Sequence, residues 1–250
     1  MALAIGSRWH KIFGDLWRNK TRTILIILSI AVGLFAVGTI VSARTILSTG
    51  MTKSFAAINP SSGTVRTEEL FDEDFVHAVS GMHNVAAADA RRAIDVQIQA
   101  GSSEWTNLRL FAIDDYEDIR VNKVMPEKGA WPPPEDEILI ERAALPLLDA
   151  KIGDTLHLKT PEEKVRRLRI AGLAHDPAQL PAQIDGTPYG YISFETLDWL
   201  GEDRGFNELY IIADNGTDEE FAQQVANEVK DRAERVGYTI PMMTAAEPGM

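Results

Sequence analysis

Residues 23–43 (TILIILSIAVGLFAVGTIVSA) form the longest apolar run in the chain and contain no charged side chain. As a helix rising about 1.5 Å per residue, the run is roughly 31 Å long, which matches the hydrocarbon core of a bilayer. A helix packed on a soluble core keeps a polar face, and this one has none, so the pattern predicts a membrane span. Upstream, Trp9, Ile12, Phe13, Leu16 and Trp17 recur at the spacing of one helix face, with Arg8, Lys11, Asp15 and Arg18 off it. That stripe predicts an amphipathic elbow helix within residues 1–22. It would lie flat in the headgroup layer and turn upright at Asn19-Lys20-Thr21-Arg22. The other reading is that these residues extend the span, with tryptophans anchoring it at the interface.

Beyond the span the periods shorten, and no later run is long enough to cross again. Residues 52–63 read as a small-residue connector. A helix is predicted within 71–80, capped by Asp72, with Phe75, Val76 and Val79 on one face. Alternating residues at 91–100 and 105–113 flank Gly101-Ser102-Ser103 and predict a hairpin. The segment 129–134 (GAWPPP) is an extended connector poor in backbone donors. Strands follow at 137–141, 155–159, 165–173 and 189–192, with short helices over 142–149 and 194–200. Near the C-terminus, a strand over 207–213 and the turn Asn215-Gly216 precede a helix. Thr217 and Glu220 have capping-box spacing there, and Gly237 suits its end. Its face is Phe221, Val225, Val229, Ala233 and Val236, and a strand over 238–242 follows. A β-α-β unit plus a hairpin predicts an α+β fold with a ferredoxin-like core, into which residues 114–206 are a strand-rich insertion.

Charge orients these parts. Residues 1–43 hold five basic side chains against Asp15, a net of +4; the other 20 basic and 36 acidic side chains leave −16 on residues 44–250. Arg44 and Lys53 are the only basic residues in the first stretch after the span. The positive-inside rule therefore puts the N-terminus in the cytoplasm and residues 44–250 outside. A cleaved signal peptide ending at Val41-Ser42-Ala43 is the rival reading. The apolar run exceeds the usual 7–15 residues or so of a secretory core, which favours an uncleaved anchor. Ser29, Gly33, Gly38 and Ser42 recur along the run and would let another membrane helix approach. The acidic ectodomain excludes a general affinity for nucleic acid.

The chemical inventory is thin. Cysteine is absent, and so are a P-loop, a zinc-protease helix, a nucleophile elbow and an EF-hand loop. The expectation is a protein that is not an enzyme and takes no cofactor or metal. His175-Asp176 reads most simply as a strand-end histidine beside a solvated acid, with half a metal site or a general-base pair as the alternative. The acidic groups at 71–74, 114–118 and 135–137 read as solvated loops and helix starts rather than calcium sites. Asn215-Gly216-Thr217 is formally a glycosylation sequon, but a turn and a helix cap account for it.

The block FGDLWRNKTRTILIILSIAVGLFAVGTI (13–40) resembles the start of MacB/FtsX-type ABC-transporter permeases, with their flat helix, Asn-Lys-x-Arg-Thr corner and Leu-Ser-Ile-Ala-x-Gly first span. The resemblance continues in order through the 71–80 helix, the 91–113 hairpin, Glu137-Ile138-Leu139-Ile140, Ile152-Gly153-Asp154-Thr155, Arg169-Ile170-Ala171-Gly172-Leu173 and the 206–212 strand. It implies a MacB-like periplasmic core domain over 44–250, with a porter-like part at 60–113 and 207–250 and a β-rich insertion at 114–206. It further implies residence in the bacterial inner membrane, where a separate cytoplasmic ABC-type ATPase and a second permease subunit are the partners. Motion of the ATPase would pass through the first span to the outer domain, for export or mechanotransmission. On this resemblance Trp9, Phe13, Trp17, Arg18, Lys20 and Arg22 seat the chain in lipid, and Ser29, Gly33, Gly38 and Ser42 pack helices. Such permeases return to the membrane with further spans, and residues 1–250 would be the N-terminal portion of one. The alternative is a single-pass anchored protein whose outer domain binds a partner without transport.

Overall fold

The computed structural model describes residues 20–99, 105–160, 163–216 and 218–245. The chain divides into two compact units, Met1–Lys53 and Ser54–Met250.

The described residues of the first unit form one helix, α1 (Lys20–Ala57), whose last residues belong to the second unit. It runs well past Ala43 into the stretch expected to be a connector, because no proline interrupts 44–57 and small residues there tolerate helix. Within it Ile24 to Ile27, Leu28, Ile30, Val32, Leu34 and Phe35 lie exposed. Side chains of α1 are described only for 20–35, 38, 39 and 57, and among the described residues no helix is long and apolar enough to cross a membrane. The crossing expected over 23–43 therefore rests on the sequence. The elbow helix within 1–22 and the turn 101–103 lie outside the described residues, apart from the first turn of α1.

In the second unit, β1 (Gly63–Phe71), α2 (Glu73–Ser80), β2 (Val85–Gln99), β9 (Phe206–Ala213), α5 (Glu219–Val236) and β10 (Met242–Ala245) build a helix-backed sheet. Its order is β10-β1-β9-β2 with every neighbour antiparallel. Each helix carries the chain over the sheet between two strands that are not adjacent. Alternation sends Val65, Leu209 and Ile211 to the helices, where they join Val225, Ala226 and Val229 of α5 in one core. Gly63 lets α5 come close; a Cβ there would stand 3.2 Å from that of Ala226.

β2 is long enough to serve two assemblies. Val85 to Arg91 pair with β9, whereas Arg92 to Ile98 pair with β3 (Thr106–Ile113). From β3 the ladder passes to β8 (Tyr189–Ser193), β5 (Glu137–Glu141), β7 (Val165–His175) and β6 (Thr155–Lys159), which returns to β2. Six strands thus close into a barrel, β4 (Met125–Gly129) adds to β7 outside the ring, and the short helices α3 (Ala182–Asp185) and α4 (Phe194–Leu200) precede and follow β8 in the chain. The hairpin that the sequence places in the ferredoxin-like part therefore supplies β3 and half of β2 to the barrel. Val96, Leu110, Ile138, Leu156, Leu168 and Ile192 belong to the main core. Phe111, Leu139, Tyr189 and Tyr191 instead form a second cluster with Tyr116, Ile119 and Val124 of the 114–124 loop.

Three local readings shift. Residues 142–149 form only a 3₁₀ turn, Leu145–Leu148, because Pro146 cannot extend a helix upstream of itself. The last strand starts at Met242, after Pro241 removes a ladder donor, and Thr239 is held by the carboxylate of Glu69 at 2.7 Å instead. The cap of α5 is Asp218, whose carboxylate accepts the Phe221 amide at 3.2 Å, one residue beyond the expected Thr217. Asp218→Ala is expected to lower stability by about 1 kcal/mol, the usual worth of such a cap, in thermal unfolding followed by circular dichroism.

Candidate functional site

The face of the sheet away from the helices is polar. Thr64 and Arg66 on β1, Glu208 and Tyr210 on β9, and Met242 and Thr244 on β10 share it by alternation, and all line a groove of about 620 Å³. Its further walls are Arg109 and Phe111 of β3, Thr187 and Tyr189 at the start of β8, and the 178–180 loop. The groove lies where sheet and barrel meet.

Around it runs a set of buried polar residues from both halves. Arg91, only 2% exposed, stands on β2 where the strand passes from sheet to barrel. It donates from Nη1 to Oδ2 of Asp176 at 3.1 Å and from Nη2 to the carbonyl of Asn122. Its guanidinium lies 5.1 Å from the ring centre of Tyr210 and 5.9 Å from that of Tyr191. Asp176, just after β7, also accepts the Tyr191 hydroxyl at 2.6 Å and, through Oδ1, the Ala178 amide at 2.9 Å. Burial opposes the charge on Arg91, but the carboxylate of Asp176, with Asp89 behind it, outweighs the burial and raises the pKa. Beside this pair Arg66 bonds Glu208, and the Tyr210 hydroxyl donates to the other Glu208 oxygen. Burial, reinforced by Glu208 for Tyr210 and by Asp176 for Tyr191, pushes both phenols well above the usual value, so they stay protonated donors.

The loop carrying Asn122 is tied on two sides. Asp89 of β2 accepts the amides of Arg120 and Val121 at 2.8 and 3.2 Å. Toward the chain leaving α1, Asn122 and Lys123 donate their amides to the carbonyls of Asn59 and Ile58 at 2.9 and 2.8 Å, and the Asn122 side chain accepts the Ser61 amide at 2.8 Å. A continuous set of contacts therefore links residues 58–61, the 120–123 loop, Arg91 on the sheet and Asp176 on the barrel. Its chemistry is that of a brace with balanced charges and fixed donors.

Sequence reasoning did not find this site. Asp176 is buried in an ion pair rather than solvated, because the fold brings Arg91 to it from 85 positions away. His175 instead has Nε2 3.2 Å from the Arg142 guanidinium and Nδ1 3.6 Å from Glu141. Residues of the 71–74 and 114–118 acidic groups line one cleft together. Asp72 caps α2, Glu137 pairs with Arg169 at 3.0 Å, and Asp118 pairs with Arg120 beside the cleft shared with Glu73, Asp89, Asp114 and Asp115. Burial, then the nearby Glu73, raises the pKa of Asp114 in that cleft. Among the described residues no three acidic or histidine side chains converge to hold a metal ion.

The residues singled out for membrane seating and helix packing fall elsewhere. Trp9, Phe13, Trp17 and Arg18 lie outside the described residues, while Lys20 and Arg22 stand exposed in the first turn of α1. Ser29, Gly33 and Gly38 are exposed, and a Cβ at either glycine would meet nothing within 4 Å among the described residues. Ser42 lies on α1, with its side chain outside the described ones.

A helix-backed antiparallel sheet and a six-stranded barrel that share one strand and a buried brace define a mixed α/β domain. The chain belongs to the family of MacB-like periplasmic core domains, whose sequence model matches residues 23–228. Among solved structures, it is similar to the extracellular domain of the noncanonic ABC-type transporter YknZ from Gram-positive bacteria. The identity is 11% and the TM-score 0.47, over 75% of this chain and 100% of that one. It is also similar to the periplasmic region of MacB from Actinobacillus actinomycetemcomitans, at 9% identity and TM-score 0.46, over 78% of this chain and 94% of that one. A comparison with curated proteins returns no match.

Proposed function

We propose that the chain is the N-terminal portion of a MacB/FtsX-type ABC-transporter permease. In this reading α1 crosses the bacterial inner membrane over residues 23–43 with the N-terminus in the cytoplasm. Residues 44–250 stand outside and receive motion generated by a cytoplasmic ATPase, in company with a second permease subunit. The observation that carries the reading is the family match, which starts inside the apolar run and continues through the sheet and barrel into α5. The uninterrupted exposure of large apolar side chains from Ile24 to Phe35 supports a lipid environment for α1. The order β10-β1-β9-β2, with a helix between β1 and β2 and another between β9 and β10, supports a ferredoxin-like, porter-like sheet, with the barrel as the β-rich part.

The contacts from residues 58–61 through Asn122 and Arg91 to Asp176 supply what mechanical coupling needs, a packed path from the exit of α1 into both halves of the outer domain. Trp9, Phe13 and Trp17, with the nearby basic residues, would seat the chain at the inner leaflet, and the small residues of α1 would meet neighbouring spans. No catalytic role is assigned to the chain itself.

Because the sequence has no cysteine, topology is directly readable. Lys151→Cys, at an exposed loop position, is expected to react with a membrane-impermeant maleimide in intact cells. Labelling that requires lysis would invert the topology and remove this reading. Purification of the full-length permease is expected to recover a P-loop ATPase, and repeated recovery without one would favour the anchored binding protein.

A further inference from the structure

Four tyrosines of the outer domain are buried, and three of them use their hydroxyls inside the protein. Tyr116 donates to the Ile192 carbonyl at 2.9 Å, Tyr191 to Asp176 at 2.6 Å, and Tyr210 to Glu208. A buried phenol normally finds such a partner. Tyr189 does not. It is 5% exposed, its ring lines the groove, and its hydroxyl has no hydrogen-bond partner among the described residues. The oxygen is not sealed off, so the groove is where an acceptor can reach it. Burial, reinforced by Glu141 and then Asp176, pushes the pKa of Tyr189 well above the usual value, so the hydroxyl keeps its proton and remains a donor.

The groove, at about 620 Å³, has the size that holds a small molecule. Thr64, Thr187 and Gln179 also line it, and none of their side chains bonds another described residue. Its charges are already matched, Arg66 to Glu208 and Arg109 to Asp95 at 2.8 Å, so a charged ligand gains little net attraction. The floor is a sheet face whose backbone is used in pairing β1 with β9 and β10, and a peptide finds no ladder to join there. Leu180, 63% exposed, and Met242, 43% exposed, add apolar surface beside the hydroxyls and the carboxamide. Neutral donors and acceptors next to apolar surface match a sugar ring, which carries hydroxyls around its rim and C–H bonds on its faces.

We propose that the groove binds an uncharged saccharide, one of whose oxygens accepts from Tyr189 while its other hydroxyls bond Thr64, Thr187 and Gln179 and its C–H face rests on Leu180. Such binding requires only the groove and holds whether or not the chain is a permease.

The test exposes the full chain, in a detergent without a sugar headgroup, to a printed array of neutral, acidic and basic glycans. Titration calorimetry then uses the best-bound neutral trisaccharide, free in solution. Tyr189→Phe is expected to weaken that trisaccharide about tenfold, and Thr187→Val to weaken it several-fold. The Tm of Tyr189→Phe is expected to stay within about 2 °C of wild type, because the hydroxyl has no internal partner to lose. The proposal is overturned if no neutral glycan binds above the blank, or if only acidic or basic glycans do. It is equally overturned if the free trisaccharide fails to bind, or if it binds Tyr189→Phe and wild type alike. A random peptide library that yields Tyr189-dependent binders where the array yields none would assign the groove to peptide instead.

Discussion

Asp176→Ala is expected to destabilise the outer domain by about 3–5 kcal/mol, because it leaves the Arg91 guanidinium buried without its counter-charge. For a domain of this size, that is a fall on the order of 10 °C in Tm. Tyr191 would lose its acceptor at the same time, and the 176–178 turn would lose the bond to the Ala178 amide. Thermal unfolding by circular dichroism measures the loss. The paired replacement Arg91→Met with Asp176→Leu is expected to recover most of it, since two apolar side chains demand no counter-charge in the interior. An Asp176→Ala chain that unfolds within a few degrees of the wild type would show that the ion pair does not brace the joint. The same substitution probes function: if motion passes through Arg91, the paired apolar variant keeps its fold but transmits less ATPase-coupled movement. Labelling of a cysteine in the 178–180 loop in the presence and absence of nucleotide follows that movement.

Gly172→Ala is expected to be nearly as damaging, through space rather than charge. A Cβ at this position would strike the carbonyl of Lys128 and come within 3.1 Å of Gly129 Cα and 3.2 Å of the Ala130 nitrogen. These are backbone atoms of β4 and its exit, so no side chain can swing aside. The expected loss is at the upper end of the roughly 1–3 kcal/mol typical of overpacking. Gly81→Ala is the control. It has φ −84°, and a Cβ there would sit 3.5 Å from the His77 carbonyl, an ordinary contact, so its stability is expected to stay within about 0.5 kcal/mol of wild type. Equal behaviour of the two variants in denaturant melts would mean that β4 is not held closely against β7.

The two substitutions act at different places, one at the outer strand β4 and one at the joint between sheet and barrel. β4 packs on the outside of the barrel through β7, next to the 114–124 loop that covers the second apolar cluster. Arg91 sits on the one strand common to sheet and barrel, and Asn122 of that loop joins it to the chain leaving α1. The shared strand alone leaves the halves joined along one line. The buried ion pair adds a second point of attachment and so restricts rotation about it.

Local pattern determined much of this protein. The charge-free run at 23–43 and its basic flank are covalent facts, and the family resemblance carried by 13–40 agrees with the match to residues 23–228. The helix from Glu219 to Val236 was legible because Val225, Val229 and Ala233 repeat at helical spacing and Gly237, at φ 110°, ends it. Strand β1 was not legible. Arg66, Glu68 and Glu69 give Gly63–Phe71 the look of a loop, and they are tolerated only because Glu208 stands opposite Arg66 and Thr239 reaches Glu69. Strand β4 was hidden by Pro126 and Lys128, which suit an edge and nothing else.

What only the tertiary structure decided is the partnership of distant charges. Arg91, Asp176 and Glu208 each read as ordinary polar residues in strands or at their ends. Whether such a residue is solvated or buried depends on what the topology sets opposite it. Periodicity reports the face on which a side chain lies. The contact of Asp176 with Arg91 arises from pairing between segments far apart in the chain, and no local signal records it.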